Sequence, residues 1–186
     1  RVIGFGGRSL DGSEPKYLNS PVTEIFEKGK NLFGLDKSAL SIRKKDYAVV
    51  VEGYFDVMAL HDSGITNVVA SLGTALSSNQ ITLLSRSTDS KKILLNFDSD
   101  NAGIRAANRA ISEVENLAIQ GQLDLRVLQL PSGKDPDEFL KDNSPSEYEA
   151  LASKSPLWMD WQIDQSLKDL DLSKSDQFQE AVSNLV

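Results

Sequence analysis

The stretch Ala48-Val49-Val50-Val51-Glu52-Gly53-Tyr54-Phe55-Asp56 decides the fold. Its β-branched run has no polar position, the pattern of a strand covered on both faces. A carboxylate, Glu52, ends the run, Gly53 permits a sharp turn, and Tyr54 to about Ser63 reads as the helix that follows. A buried strand that ends on an acid presents it to a cleft. Glu52 is therefore read as the first ligand of a metal-dependent phosphoryl-transfer site.

Working outward from this unit, strands and helices alternate. Gly64 breaks the helix, and Asn67–Ala70 is the next strand. The turn Ser71-Leu72-Gly73-Thr74 follows, and then a helix capped by Ser78 runs to about Ser85. Ile93–Phe97 is a third strand, the loop Asp98–Asn101 opens a longer helix to about Ile119, and Gly121 ends it. Leu125–Leu130 is a fourth strand, apolar on both faces like the others. Strand–helix repetition of this kind builds an α/β parallel sheet flanked by helices with right-handed crossovers, and ligands collect at its strand carboxyl ends. Glu52, Ser71, Asp98 and the loop 131–137 all sit at such ends.

Upstream, residues 1–34 are rich in glycine and turn formers, which suits short strands and loops. Asp11-Gly12 is a plausible hairpin turn between strands at Val2–Leu10 and Lys16–Leu18, and Ser38–Arg43 is a short helix. Downstream of Asp137 the pattern is helical: Asp137–Lys141 with Pro136 in its first turn, Ser146–Ala152, Leu157–Leu170 and Asp176–Leu185, with 169–176 as a connector. Leu157, Trp158 and Trp161 form a packed helix face. Three regions result: a basic N-terminal subdomain at 1–45, a metal-binding core at 46–140 and a helical subdomain at 141–186.

The totals narrow the chemistry. At 186 residues, 40% of them hydrophobic, the chain can fill one sizeable core. The absence of cysteine rules out disulfides and thiolate zinc sites and fits a reducing compartment. The single histidine, His61, argues against a histidine metal site or a Ser-His-Asp triad. No apolar run reaches the roughly 18 residues of a membrane span, and no signal peptide opens the chain, so a cytoplasmic protein is expected. Arg1 falls within strand-like sequence, which suggests that upstream sequence precedes it. Residues 1–45 carry nine Lys/Arg against five Asp/Glu, while 46–186 carry eleven against twenty-two, so net charges of +4 and −11 make up the overall −7. A basic leader beside an acidic remainder suits phosphate backbone on one side and divalent metal on the other.

Asp98-Ser99-Asp100 places two carboxylates two residues apart beyond a strand, so both can approach one ion. Asp100 equally suits the cap of the helix that starts near Ala102, and Asp135 that of the helix opened by Pro136-Asp137. Oxygen-only ligands select Mg²⁺ or a similar hard cation over zinc. Five or more acids on one rim would repel one another and raise their pKa values unless cations neutralise them.

These motifs together resemble the TOPRIM fold shared by bacterial primases, topoisomerases and some nucleases. The resemblance rests on Glu52-Gly53-Tyr54-Phe55-Asp56, Ser71-Leu72-Gly73-Thr74, Asp98-x-Asp100 with Ala102-Gly103, and Asp135-Pro136-Asp137. Four upstream segments narrow it: Gly4-Phe5-Gly6-Gly7-Arg8, Pro15-Lys16-Tyr17-Leu18-Asn19-Ser20-Pro21, Lys28-Gly29 and Leu32-Phe33-Gly34-Leu35. With them, residues 1–140 resemble the RNA polymerase domain of DnaG-type primases.

The resemblance implies roles by position. Glu52, Asp98 and Asp100 match the central metal-binding and catalytic acids, and Asp56, Asp135 and Asp137 match supporting metal ligands. Arg8, Lys16, Asn19 and Lys28 match positions that hold nucleic acid or nucleotide. It implies more than one Mg²⁺ or Mn²⁺ ion, a single-stranded DNA template, ribonucleoside triphosphates, an RNA primer, and a replicative helicase met through a region outside this chain. It also implies a site at the bacterial replication fork or in an organelle of bacterial origin. The resembling proteins carry glycine between the two aspartates where this chain has Ser99, which fits the loop at negative φ and leaves metal binding expected. They also carry a zinc-binding module and more of the basic subdomain upstream, so the chain alone is expected to bind metal but to be weakly active. A TOPRIM-fold nuclease and a non-catalytic TOPRIM binding module are the alternatives. A topoisomerase would need a nucleophilic tyrosine on another domain, and a phosphoryl-receiver domain would leave the basic leader unexplained.

Overall fold

The computed structural model describes residues 2–9, 14, 17–72, 76–168 and 170–185. The leader contributes β1 (Gly6–Arg8) and β2 (Tyr17–Asn19), paired antiparallel with Gly7 opposite Leu18. β1 is shorter than the expected Val2–Leu10, because residues 2–5 lie outside the pairing. Asp11-Gly12, the expected turn between the two strands, lies outside the described residues, as do Lys16 and Gly73-Thr74. From there the chain runs α1 (Leu35–Lys45), β3 (Tyr47–Val51), α2 (Tyr54–Asp62), β4 (Val68–Ala70), α3 (Ser78–Ser85), β5 (Lys92–Leu95), α4 (Asn101–Ile119) and β6 (Asp124–Val127). Four further helices close it: α5 (Pro136–Asp142), α6 (Pro145–Ser153), α7 (Trp158–Leu167) and α8 (Ser175–Leu185).

β3 to β6 form one parallel sheet in the order β4-β3-β5-β6. Because successive side chains of a strand point to opposite faces, β3 splits its residues between two cores. Ala48 and Val50 join Ile93, Leu95, Leu125 and Val127 beneath Ile42 of α1, Ile81 and Leu84 of α3, Ile111 and Val114 of α4, and Trp158 and Trp161 of α7. Val49 and Val51 face Val57 and Leu60 of α2, Phe139 of α5, and Tyr148 and Ala152 of α6. Packing therefore crosses both sequence-drawn boundaries: Leu32 and Ile42 of the leader, and α6 and α7 of the helical tail, all cover the same sheet.

Several expectations need correction. β5 and β6 end two and three residues early, because the last paired residues are Val50 with Leu95 and Leu95 with Val127. Nor is β6 apolar on both faces. Asp124 and Arg126 are half-buried and bond each other at 2.9 Å, as suits an edge strand. Ser77, one residue before Ser78, is the cap of α3, since its hydroxyl accepts from the Gln80 amide while Gln80 returns a bond to the Ser77 amide. Trp158 and Trp161 are buried, but Leu157 is 39% exposed; its backbone bridges to Arg126 instead. Both edges of the sheet are thereby covered, by Phe33 against Ala70 and by Leu157 against Arg126.

Candidate active site

The carboxyl ends of β3, β5 and β6 carry the acids. Glu52 follows β3, Asp98 and Asp100 follow β5, and Asp135 follows β6 through a short 3₁₀ turn at Pro131–Gly133. Gly103 is the steric reason the middle loop closes as it does. A Cβ there would overlap the Asp98 carbonyl oxygen, so the first turn of α4 rests directly on the backbone of the acid loop. Asp100 caps α4, its Oδ1 accepting from the Ala102 and Gly103 amides, both at 2.8 Å. Asp135 caps α5 in the same way, accepting from the Glu138 amide at 2.7 Å. The capping and rim-acid readings of these two residues are thus compatible, because a cap occupies one oxygen.

The electrostatics of the rim are those of charges held without enough partners. Burial, then Asp98 and Asp100, raise the Glu52 carboxyl above its ordinary range, with partial relief from the Asp98 backbone amide and from Arg109. Asp56, in the first turn of α2, is pushed up to about 7 by burial, then by Asp135, Asp98 and Glu52. Asp98 is raised by burial, then by Asp135, Asp100 and Glu138. Glu52 Oε1 is buried and has no hydrogen-bond partner among the described residues. Such an oxygen fits a cation site, since a buried carboxylate is costly until something positive meets it. Among the described residues, no three acid or histidine side chains converge closely enough to hold one ion, so the rim is a set of facing carboxylates rather than a closed cage.

Asp137 stands apart from the other expected ligands. It bonds Lys141 one turn along α5 at 2.9 Å and does not figure among the acids that raise Glu52, Asp56 or Asp98. Glu138 and Arg109 do act on the rim, and sequence reasoning missed both; Arg109 lies two turns into α4 with no local mark of its role. His61 sits against the Val68 carbonyl at 3.1 Å and the Ser38 hydroxyl at 3.2 Å, an ordinary packed histidine.

The leader hairpin lies against this rim. A Cβ on Gly6 would come within 2.6 Å of the Tyr54 hydroxyl, so the chain passes closely over the start of α2. The Arg8 guanidinium carbon lies 5.4 Å from the centroid of the Phe55 ring, which places a cation three residues from Glu52. Asn19 Nδ2 donates to the Leu72 carbonyl at 3.2 Å, and Leu72 holds φ +66°, a left-handed conformation that leucine adopts at a cost. Lys28 is half-buried, with its carbonyl tied to Gln80 Nε2 at 2.9 Å, and makes no ion pair among the described residues.

A parallel sheet with acids at adjacent strand exits defines a Toprim-like protein, and residues 49–140 match the Toprim-like family model. Residues 1–39 match the model of the DNA primase catalytic core, N-terminal domain. The chain is 63% identical over its whole length to the DNA primase of Synechococcus elongatus, of which it covers 27%. It superposes on a crystal structure of a DNA primase domain from Pseudomonas aeruginosa with a TM-score of 0.84 at 37% identity, covering 100% of this chain and 58% of that one. It also superposes on a structure of the DnaG primase catalytic domain bound to ssDNA, with a TM-score of 0.82 at 37% identity, covering 98% of this chain and 58% of that one. The chain belongs to the DnaG-type primase family and carries the Toprim-containing part of its catalytic core. It spans about a quarter of the length of the curated relatives it matches.

Proposed function

We propose that this chain is a fragment of the catalytic core of an enzyme that synthesises RNA primers on single-stranded DNA. The observation that carries the reading is the acid rim of Glu52, Asp56, Asp98, Asp100 and Asp135, with a buried, unpartnered Glu52 oxygen and a cationic leader beside it. In the reaction the primer 3′-oxygen bonds to the α-phosphorus of a ribonucleoside triphosphate and pyrophosphate leaves. Glu52, Asp98 and Asp100 would hold Mg²⁺ or Mn²⁺, with Asp56 and Asp135 in support, whereas Asp137, paired with Lys141, would take no part. Such ions, when bound, supply the positive charge that orients a triphosphate and favours a deprotonated 3′-hydroxyl.

The chain's own groups divide the remaining work. Capping fixes Asp100 and Asp135 in direction, and the contact of Gly103 with the Asp98 backbone fixes the intervening loop. Arg8, on the ring of Phe55, meets phosphate at the mouth of the site, with Lys16 and Lys28 proposed as further phosphate-binding residues. Asn19 holds the Leu72 turn in place beneath it. A related catalytic domain was captured with ssDNA, which supports a DNA template as partner. An RNA primer and ribonucleotides follow from the reaction. A replicative helicase would be met through regions that longer relatives carry, and a cytoplasmic enzyme, at the bacterial replication fork or in an organelle of bacterial origin, fits both. Among the described residues, no helix is long and apolar enough to cross a membrane.

The test is template-dependent incorporation of labelled ribonucleotides with Mg²⁺ or Mn²⁺, run beside a nuclease control. The chain is assayed alone and joined to the flanking regions its relatives carry. Synthesis dependent on template and metal is expected, and weaker for the chain alone. Release of labelled fragments without synthesis in either form would overturn the reading in favour of a nuclease, and DNA binding with neither activity would favour a binding module.

A further inference from the structure

One polar side chain interrupts the apolar centre of the sheet. Asn96, 3% exposed, follows β5 and stands two residues before Asp98. Its backbone amide donates to the Val50 carbonyl at 2.9 Å, two residues before Glu52. Its Nδ2 donates to the Leu128 carbonyl at 3.2 Å, at the exit of β6 that leads to Asp135. Its Oδ1 accepts from the Tyr148 hydroxyl at 2.7 Å. Tyr148 is 1% exposed on α6 and packs edge-on to Phe139 of α5, the helix that Asp135 caps, with ring centroids 6.2 Å apart. The backbone of Asn96 thus pairs with the β3 exit, while its side-chain amide and one phenol tie the β5 and β6 exits, and neither side chain hydrogen-bonds a rim acid.

We propose that the buried Asn96–Tyr148 pair is a positioning device that sets the spacing of the Asp98 and Asp135 exits, and with it the cation affinity of the rim. The proposal rests on the rim being a cation site, as proposed above. The physical argument is one of stiffness. Carboxylates that repel one another spread unless the backbone behind them is held, and a buried hydrogen-bond junction in a low-dielectric core holds it at the β5 and β6 exits. Leucine in place of Asn96 would fill similar space, but it could neither tie the Leu128 carbonyl nor pair the phenol. Tyr148 makes the junction answer to α6, an element drawn from the helical tail.

The experiment measures Mn²⁺ binding to the whole 186-residue chain from the EPR signal of free Mn²⁺, alongside thermal melts without metal. Tyr148→Phe keeps the ring and removes only the hydroxyl, and should weaken Mn²⁺ affinity by about tenfold, the scale of lost partners behind metal ligands. Asn96→Ser is too short to reach both Leu128 and Tyr148, and it carries the same expectation should Tyr148→Phe not fold. Ala152→Gly loosens α6 without touching the junction, and should lower the melting temperature while leaving Mn²⁺ affinity within about twofold, since it removes no partner of the acid loops. Unchanged affinity in Tyr148→Phe and Asn96→Ser overturns the proposal, as does an equal loss in Ala152→Gly, which would mean general softening. Asp98→Asn separates the two readings. If it abolishes Mn²⁺ binding while the junction variants do not weaken it, only the positioning role fails. If the unaltered chain and Asp98→Asn are alike in binding none, the cation site fails and the positioning role fails with it.

Discussion

The two ends of the same sheet treat their acids in opposite ways. At the amino end, Asp46 precedes β3 and accepts from the Asp89 amide at 2.7 Å and the Ser90 amide at 3.1 Å, bonds that hold its carboxyl below the ordinary range. Asp124 opens β6 at that end and pairs with Arg126. At the carboxyl end, Glu52, Asp56 and Asp98 are all raised, by burial first and by one another next. Acids at the amino end hold the fold together, whereas those at the carboxyl end strain against it. Carboxylates kept close with too few partners are groups arranged for a ligand, which is why perturbed acids mark working sites.

The sharpest way to break this contrast is to remove one acid from each end. Asp98→Asn should cut dinucleotide synthesis by a factor on the order of 100 or more, while Asp46→Asn should leave synthesis intact and lower only the melting temperature. Equal activity in the two variants would erase the distinction. A second probe acts on backbone. Gly103→Ala drives a methyl into the Asp98 carbonyl and should destabilise the chain by about 1–3 kcal/mol in urea unfolding, the usual cost of overpacking, with a further loss of synthesis. Full stability would mean that α4 does not pin the acid loop.

Binding and pH sharpen the comparison further. Arg8→Ala should weaken single-stranded DNA binding several-fold at low salt and reduce the salt slope by about 1, because one phosphate contact is lost; a loss independent of salt would deny Arg8 that contact. The pH effect is the smallest and has opposite signs at the two ends. Asp56 has its folded pKa raised from 3.8 to about 7, so its contribution to stability is fully present below pH 3.8 and is lost as pH rises through about 7. For Asp46 the folded pKa is lowered, so its contribution is present above the ordinary value of 3.8 and is lost as pH falls through its folded pKa below it. Melts in a chelator should therefore show lower stability at pH 8 than at pH 5, and Asp56→Asn should remove most of that difference. Added Mn²⁺ should restore stability at pH 8.

Much of this contrast was legible in the chain. The apolar run at Ala48–Val51, the Gly64 and Gly121 breaks and the acids at three strand exits are local signals, and the parallel sheet follows from the alternation of strand and helix. The limits of that reading are physical as well. Asp135 and Asp137 are equivalent in sequence, but a helical turn sends Asp137 to Lys141 while Asp135 remains among the rim acids. Arg126 looked like part of a buried strand until the order β4-β3-β5-β6 put it on an edge. Asn96 and Tyr148 are 52 residues apart, and nothing local to either announces the other.

By itself, then, the sequence determined the periodicity of the elements, the order in which acids leave the strands, and the cationic leader that precedes them. Those are properties of neighbours along a chain, set by side-chain alternation and turn chemistry over a few residues. Tertiary structure alone decided which acids are buried together, which become helix caps, and which buried amide joins the exits behind Asp98 and Asp135. Burial and charge coupling depend on distances through space, and those exist only once the sheet has brought remote strands side by side.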